Sequence, residues 1–216
     1  MLFYEGTKQK QLGLFNKKNA SKRRFSELSE IKKIASNCKR CSLHEKCNRL
    51  VFGAGNPKAG LMFVGEGPGK TEDEKGIPFV GKAGQLFNKI LEAADINRTD
   101  VYISNVVKCR PPNNRNPKIK EMKSCLWFLA QEIKVVQPTI IVPLGSVALK
   151  GLINPQGSIT RLRGKWIERS GYYFLPTFHP AALLHNESRK KPTWHDFLKI
   201  KKAYERYLEL KSKGEW

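Results

Sequence analysis

Three short apolar segments constrain the fold of this chain more than any other feature. They read AGLMFVGEG at 59–67, VYISNVVKC at 101–109 and PTIIVPLG at 138–145, and each is long enough for one buried strand. Stretches with helical spacing of apolar residues separate them, at 81–96 and 118–136. Continuous apolar strands that alternate with helices are typical of an α/β domain with a mainly parallel sheet.

The remaining segments complete a domain of ordinary size. An amphipathic helix is predicted at 25–37, a hairpin or pair of strands at 164–180, and a long helix at 192–213. Of the 216 residues, 40% are hydrophobic, which is enough for one sizeable core. The start of the chain differs in composition, so we predict a basic, flexible arm at 1–28 and one domain at 29–216.

Polar residues follow the predicted strands at the ends where a parallel sheet collects function. Glu66, Asn105 and His179 stand at the carboxyl ends of three predicted strands, and Ser146 follows the strand at 138–145. Loop chemistry would explain any one of them, and Ser146 has the position of a helix cap. Together, the four strand ends predict one functional rim.

The charge of the chain indicates a polyanionic partner. Forty Lys and Arg against nineteen Asp and Glu give a formal net charge of +21 and a pI near 9.9. An excess of this size favours nucleic acid, although a generally solvated basic surface has the same composition. No apolar run approaches the roughly 18 residues of a membrane span, and the start MLFYEGTKQKQ lacks the features of a signal peptide. We therefore expect a cytoplasmic protein without a membrane partner.

The loop VGEGPGKTED at 64–73 is similar to a phosphate loop but is one residue short. In the Walker A pattern, G-x-x-x-x-G-K-[ST], the residues GKT at 69–71 fill the last three places. The first glycine would then stand at position 64, which is Val64, and the glycine comes one residue late at Gly65. We therefore expect no bound nucleotide.

Five cysteines with unequal spacing indicate a metal site rather than disulfides. An odd count in a chain without a signal peptide argues against a disulfide framework. Cys38 and Cys41 form a chelating C-x2-C pair, while Cys109 and Cys125 flank the loop RPPNNRNP. One tight pair with two distant thiolates suits an iron–sulfur cube, and zinc is also compatible with four cysteines. We treat Cys47 as a non-ligand.

The arm contains a short apolar motif. From position 7 to 24 there are seven basic residues and no acidic one, and QLGLF interrupts them. Gln11, Leu12, Leu14 and Phe15 resemble the Gln-Leu-x-Leu-Phe peptide by which bacterial proteins bind the replication sliding clamp. The alternative is an apolar patch that folds back on the domain.

Five longer motifs resemble the family 4 uracil-DNA glycosylases, the iron–sulfur type of these DNA repair enzymes. They are GEGPGKTEDEKGIPFVGKAGQL, VYISNVVKCRPPNNRNP, PTIIVPLGSVA, LRGKW and TFHPAALL, with CKRC ahead of them. The resemblance covers about residues 30–210 and leaves out the arm. It implies a three-layer α/β/α sandwich around a short parallel sheet. It also implies a monofunctional glycosylase that flips uracil out of DNA and hydrolyses its N-glycosidic bond, which starts base excision repair.

The resemblance implies a cofactor and a nucleic-acid partner. It assigns a structural [4Fe–4S] cluster to Cys38, Cys41, Cys109 and Cys125, in a monomer that acts on single- or double-stranded DNA containing uracil. Basic residues near the cysteines and in LRGKW are candidate phosphate contacts, and two leucines after TFHP are candidate wedges that replace the flipped base. These DNA-binding candidates are Arg110, Arg115, Arg161, Arg163, Lys165, Leu183 and Leu184.

The resemblance also implies a uracil pocket on the predicted rim. Phe79 matches the aromatic residue that stacks on uracil, and Asn105 matches the amide that reads its edge. His179 matches the histidine that hydrogen-bonds the other carbonyl, where negative charge builds as the glycosidic bond breaks. Glu66 and Gly67 lie against the base in this interpretation, and the bulk of Glu66 excludes the methyl group of thymine.

Two carboxylates are candidates to orient water or to stabilise the sugar cation. They are Glu66 and Glu72, and the motif leaves open which of them activates water; Asp73 is interpreted as a cap of the turn. Some relatives trap uracil covalently through a histidine in the loop after the second strand. The corresponding loop here, PPNNRNP, contains no histidine, so we expect turnover.

Three other functions fit parts of the sequence. A non-catalytic iron–sulfur protein that binds nucleic acid has the same charge and cysteines, but it does not explain Phe79, Asn105 and His179 together. A glycosylase for another deaminated base fits the same motifs. A nucleotide-dependent enzyme that uses GPGKT would need the missing glycine and a Walker B acid.

Overall fold

The structure, a computed structural model, describes residues 25–215. Within this range, six strands form one sheet in the order β1-β3-β2-β4-β6-β5. The strands are β1 Ala54–Gly55, β2 Leu61–Gly65, β3 Tyr102–Asn105, β4 Ile140–Pro143, β5 Ile167–Arg169 and β6 Tyr172–Phe174.

The centre of the sheet is parallel and its two edges are antiparallel. β2 pairs in parallel with β3 and β4, and β4 pairs in parallel with β6. β1 and β5 each join the sheet in the antiparallel sense, and β5 with β6 forms the predicted hairpin. The prediction of a mainly parallel α/β sheet is confirmed. The two-residue strand β1 was not predicted, because it has no apolar run.

Eight α-helices lie within the same part of the chain, and the four predicted ones are found within a few residues of their predicted bounds. The short helices α2, α6 and α7 have too few turns to show a period. The helices are α1 Leu28–Ser36, α2 Lys70–Lys75, α3 Lys82–Ala93, α4 Ile119–Val136, α5 Gly145–Leu152, α6 Ile159–Leu162, α7 Pro180–His185 and α8 Lys190–Ser212.

Successive residues of β2 face opposite sides of the sheet, so each side has its own core. Leu61 and Phe63 belong to a buried cluster that includes residues of α3 and α8. Met62 and Val64 belong to a second cluster that includes residues of α4 and α5. The sheet is therefore a layer between two helical layers, as the resemblance implied.

Helix α1 packs on α4 through a third, smaller core. Ile31 and Ala35 of α1 are buried against Phe52 and Phe128. Because α1 ends just before Cys38, this packing brings the C-x2-C segment close to α4.

Three sequence predictions concern membrane spans, the domain boundary and the arm. No helix in the part of the chain that the structure describes is long and apolar enough to cross a membrane. The predicted domain boundary falls at the start of α1, at Leu28. The predicted clamp motif at 11–15 lies outside the described residues.

Truncation of Phe197 tests the packing of α8. The ring of Phe197 is 1% exposed, stacks on Phe63 with 6.0 Å between centroids, and lies 6.4 Å from Phe87. We expect Phe197→Ala to lower the free energy of unfolding by about 3–5 kcal/mol, because it leaves a cavity in a closely packed core. The measurement is urea unfolding followed by circular dichroism.

The neighbouring residue of the same helix provides the control. Leu198 is 43% exposed, so Leu198→Ala should change the free energy of unfolding by less than about 1 kcal/mol. Equal losses in the two variants would contradict the described orientation of α8.

Candidate functional site

The predicted strand ends meet at one edge of the sheet. Gly65, the last residue of β2, is paired with Asn105, the last residue of β3. Leu144 bridges to Thr177, which brings the start of α5 against His179. Leu144 is the N-cap residue of α5, so the interpretation of Ser146 as its cap is wrong: the helix begins one residue before this serine.

Phe79 lies in this rim in an unusual backbone conformation. Its φ is 55°, in the left-handed region that residues with a side chain rarely adopt. Its ring is 5% exposed and lies 5.5 Å from the ring of His179, centroid to centroid. A Cβ added at Gly65 would lie 2.7 Å from Cζ of Phe79 and would also collide with Oδ1 of Asn105. Only glycine therefore leaves room for the two side chains at this strand end.

The turn that carries this phenylalanine is held from two sides. Oε1 of Glu72 accepts hydrogen bonds from the backbone N–H groups of Val80 (3.0 Å) and Gly81 (2.7 Å). On the other side, Arg98 donates to the backbone carbonyl of Pro78 at 2.8 Å. These contacts stabilise a conformation that the backbone alone disfavours.

Asn105 has a buried oxygen without a partner. The residue is 2% exposed, and no group within residues 25–215 hydrogen-bonds its Oδ1. A buried acceptor left without a donor costs about 1–3 kcal/mol. The backbone carbonyl of Asn105, in contrast, accepts a hydrogen bond from Nζ of Lys108 at 3.0 Å. The arrangement suits a ligand that brings its own donor to Oδ1.

His179 presents a single N–H donor at neutral pH. Its Nδ1 accepts a hydrogen bond from the backbone N–H of Ala181 at 3.2 Å, so the proton of the neutral ring is on Nε2. Burial lowers the pKa of His179 from 6.5 to about 4, while the charge of Glu72 acts in the opposite direction. The ring is therefore neutral at pH 7.

The two other acidic residues of the loop have contrasting surroundings. Glu66 is half-buried, and burial raises its pKa from 4.5 to about 7. Asp73 is buried in α2 and accepts hydrogen bonds from the backbone and side-chain N–H groups of Asn48, at 3.1 and 2.6 Å. At Gly67, an added Cβ would lie 2.6 Å from Cγ2 of Val107, so this glycine also permits a close approach.

The four predicted ligand cysteines line one cavity. Cys38, Cys41, Cys109 and Cys125 are free thiols, and burial raises the pKa of Cys125 to about 12. Cys47 lies beside Cys109. Across residues 25–215, no three His, Cys, Asp or Glu side chains stand close enough to hold a metal ion as they are. The cavity nevertheless supplies the four soft donors that iron–sulfur clusters and structural zinc require.

Two of the candidate phosphate contacts form ion pairs within the fold. Arg115 donates to both carboxylate oxygens of Glu121, at 2.9 and 2.7 Å. Arg163 donates to both carboxylate oxygens of Asp196, at 3.0 and 2.6 Å. Bidentate arginine–carboxylate pairs are among the stronger ion pairs in proteins. Here one pair attaches a loop to α4, and the other attaches a second loop to α8.

The other DNA-binding candidates differ in exposure. Arg161 and Lys165 are exposed, and Arg110 is half-buried and donates to the side chain of Asn114 at 2.8 Å. The remaining two candidates are neighbours in α7 with opposite surroundings. Leu183 is 3% exposed and is part of the core, whereas Leu184 is 50% exposed.

Sequence reasoning missed an ion pair beneath the rim. Lys108 and Glu132 are 1% and 0% exposed, and they contact each other inside the domain. Two signals were present in the sequence. A lysine follows directly on the apolar run VYISNVV, and a glutamate lies on the apolar face of α4, between Leu129 and Ile133. Charged residues in such places are almost never fully buried without a partner.

Replacement of Glu66 tests its raised pKa. Between pH 4.5 and about 7 the folded state binds a proton at this carboxyl that the unfolded state releases, so stability falls as the pH rises through this window. Glu66→Gln has no such dependence. We expect the variant to gain stability over the parent between pH 4.5 and 8, by the order of 1 kcal/mol after allowance for partial solvent exposure.

Thermal unfolding of both proteins across this pH range measures the effect. Glu92→Gln removes an exposed carboxylate from α3 and serves as the matched control. A difference in Tm between Glu66→Gln and the parent that does not change with pH would contradict the raised pKa.

Comparisons with known proteins identify the family of this chain. The family model of the uracil DNA glycosylase superfamily matches residues 52–199. A type-4 uracil-DNA glycosylase of Thermotoga maritima is 46% identical over 76% of this chain and 87% of its own length. Type-4 uracil-DNA glycosylases of Sulfurisphaera tokodaii and Archaeoglobus fulgidus are 42% and 40% identical, each over 82% of this chain and over 84% and 92% of their own lengths. The resemblance drawn from the motifs is thus confirmed, and the chain belongs to the uracil-DNA glycosylase superfamily.

Proposed function

We propose that this chain is a monofunctional uracil-DNA glycosylase, which hydrolyses the bond between uracil and deoxyribose and so starts base excision repair. The predicted enzyme class is confirmed by the type-4 relatives, which align over most of their length. One observation carries the assignment to the site: the buried Oδ1 of Asn105 has no donor among the described residues and lies beside the ring of Phe79.

The amide of Asn105 is complementary to the edge of uracil. Its Oδ1 accepts from the ring N–H of the base, and its amide nitrogen donates to the adjacent carbonyl. Cytosine has the reverse pattern at these two positions. Because the site is buried, the unpaired polar atoms would weaken the binding of cytosine strongly.

The aromatic and apolar residues of the rim receive the flipped base. Extrusion of a base from the duplex costs roughly a few kcal/mol, and stacking on an aromatic ring such as Phe79 offsets about 1–3 kcal/mol of that cost. Leu184 is the exposed leucine of the candidate pair, so we assign it the role of wedge. Glu66 and Gly67 form the side of the pocket that excludes the methyl group of thymine.

The polar groups divide the chemistry among them. Nε2–H of His179 donates to the second uracil carbonyl, and this hydrogen bond strengthens as negative charge develops on the leaving base. Glu72 acts as a positioning residue, because Oε1 of its carboxylate holds the turn of Phe79 through two backbone N–H groups. With a pKa of about 7, Glu66 has the ionisation suited to a general base for water at neutral pH.

The cysteine-lined cavity is assigned to a [4Fe–4S] cluster, with zinc as the alternative. Cys38, Cys41, Cys109 and Cys125 would hold it, and their common cavity supports this set. When bound, the cluster supplies a structural connection and no step of the hydrolysis. The four thiols belong to the segment after α1, the loop after β3 and helix α4, so the connection joins three parts of the chain.

The surroundings of the site suit a DNA partner, single- or double-stranded. A net charge of +21 attracts the phosphate backbone over long distances. The proposed phosphate contacts are the basic candidates without an ion pair to a carboxylate among the described residues: Arg110, Arg161 and Lys165. The clamp contact through residues 11–15, the monomeric state and the cytoplasmic location remain predictions, and the proposed hydrolysis uses no nucleotide.

Excision from a labelled oligonucleotide tests the function. The strand carries one uracil and is treated with alkali after incubation; parallel strands carry thymine, cytosine or hypoxanthine. We expect a break in the uracil strand alone. A break in the hypoxanthine strand alone would contradict this expectation and would make the enzyme specific for another deaminated base. No break in any strand, with DNA binding retained, would support the non-catalytic alternative.

Asn105→Ala tests the residue that reads the base. We expect excision to fall by about 100-fold or more, because hydrogen bonds to the base are lost where they strengthen in the transition state. The affinity for uracil-free DNA should stay unchanged. Asn56→Ala, which removes an amide near the opposite edge of the sheet, is the control and should retain full excision. Full activity in Asn105→Ala would refute the assigned role.

Two single variants, Cys125→Ser and Cys47→Ser, test the metal site. We expect Cys125→Ser to lose bound iron and to unfold at lower temperature, since a ligand of the structural connection is removed. Cys47→Ser should retain the iron content of the parent. Metal analysis of the purified proteins and thermal unfolding measure both effects. Zinc in place of iron would favour the alternative metal, and iron loss in Cys47→Ser would make Cys47 a ligand.

A further inference from the structure

We propose that Lys108 is a positioning residue for Asn105 and that the buried carboxylate of Glu132 holds Lys108 in place. The inference rests on the proposed function, because it concerns the orientation of the amide that reads uracil. It adds to the uracil pocket a support that lies beneath it and does not touch the base.

The ammonium group of Lys108 is committed to one arrangement. It donates to the backbone carbonyl of Asn105 at 3.0 Å, to Oγ of Ser104 at 2.6 Å and to the carboxylate of Glu132. A lysine ammonium has three donors, and these contacts use all three. The side chain is 1% exposed, so water does not compete for them.

The carboxylate of Glu132 is equally well satisfied. It accepts from the backbone N–H of Gly53 at 2.9 Å, from Oγ of Ser104 at 2.8 Å and from the hydroxyl of Tyr102 at 3.3 Å. The pair therefore joins α4, β3 and the segment before β1. An apolar pair of similar volume would fill this space without the cost of burying two charges, so stability alone does not explain the ion pair.

The position of Asn105 explains why it needs this support. It is the last residue of β3, and within residues 25–215 no group hydrogen-bonds its Oδ1 to orient the amide. The carbonyl of the peptide group that follows Asn105 accepts from Lys108, and its N–H, on Val106, donates to the carbonyl of Gly65 at 3.0 Å, so Lys108 supplies one of the two hydrogen bonds that hold this peptide. Rotation of that peptide would turn the side chain away from the base, and a misplacement of about 1 Å can cost about 100-fold in rate.

Lys108 also connects the reading strand to the cysteine-lined cavity. Its backbone N–H donates to Sγ of Cys125 at 3.3 Å, and the residue lines the cavity. Lys108 therefore contacts Cys125, a proposed cluster ligand, through its backbone and Asn105 through its side chain. The iron content of every variant must accordingly be measured, so that a lost metal is not mistaken for a misplaced amide.

The double variant Lys108→Met with Glu132→Gln tests the proposal. It removes both charges together, so that neither is left buried alone, and the new amide retains an acceptor for the N–H of Gly53. We expect the iron content and KM for uracil-containing DNA to stay near those of the parent. We expect kcat to fall about 10-fold or more, and the inhibition constant of free uracil to rise by a similar factor.

A control variant separates positioning from stability. Ile200 is buried on the other side of the sheet, so Ile200→Ala loses core packing without contact to this ion pair. The two proteins are compared at temperatures equally far below their Tm. If the double variant differs from Ile200→Ala in neither kcat nor uracil inhibition, the pair is only structural and the proposal is wrong.

A milder variant keeps the proposal testable if the double variant does not fold. Ser104→Ala removes the hydroxyl that connects the ammonium to the carboxylate and changes little volume. We expect the same direction of change, about 3-fold in kcat and in uracil inhibition. Parent values of both constants in a folded Ser104→Ala protein would overturn the positioning role.

Discussion

The parallel register of β2 against β3 is the contact on which the site depends. It sets Gly65 directly beside Asn105, and the missing side chain at Gly65 leaves the space that the amide and the ring of Phe79 occupy. A shift of one residue in this pairing would turn the side chains of β2 to the opposite faces and separate these groups. Since both faces of β2 are buried, packing in two cores determines the register. The register in turn fixes the positions of the groups at the strand ends.

The electrostatic properties of the rim follow from its burial. Partial burial lowers the pKa of His179 to about 4 and raises the pKa of Glu66 to about 7, so the histidine is neutral at pH 7 and the glutamate is partly protonated. The proposed recognition of the base relies on hydrogen bonds of Asn105 and His179 as neutral groups, and such bonds are strong where water is excluded. The large positive charge of the chain acts elsewhere, over distances at which the shape of a base has no effect.

Periodicity and strand ends were sufficient for the scaffold and the rim. Apolar runs predicted β2, β3 and β4, because continuous apolar strands occur where both faces are covered, and the residues after them predicted Glu66, Asn105 and His179 as one group. Pairing between distant side chains could not be predicted in the same way. Arg163 was interpreted as a phosphate contact, yet its carboxylate partner stands 33 positions away, and composition does not show which charges will meet.

The cores also explain why the helical layers were predicted more fully than the edges. Long helices such as α4 and α8 repeat their apolar face over several turns, so the period is visible in the sequence. The strand β1 and the helices α2 and α6 are too short to show such a period. The buried ion pair of Lys108 and Glu132 could not be predicted either, because the two side chains contact each other only in the folded domain.

The left-handed backbone of Phe79 has a consequence for how such a protein can evolve. A residue with a side chain in this conformation costs about 1–3 kcal/mol, which glycine would not. Selection for heat resistance alone would thus favour glycine at this position and would erase the stacking surface. If Phe79 stacks on the base as proposed, the aromatic residue at this position costs stability for the sake of function, and attempts to stabilise the protein should leave this turn unchanged.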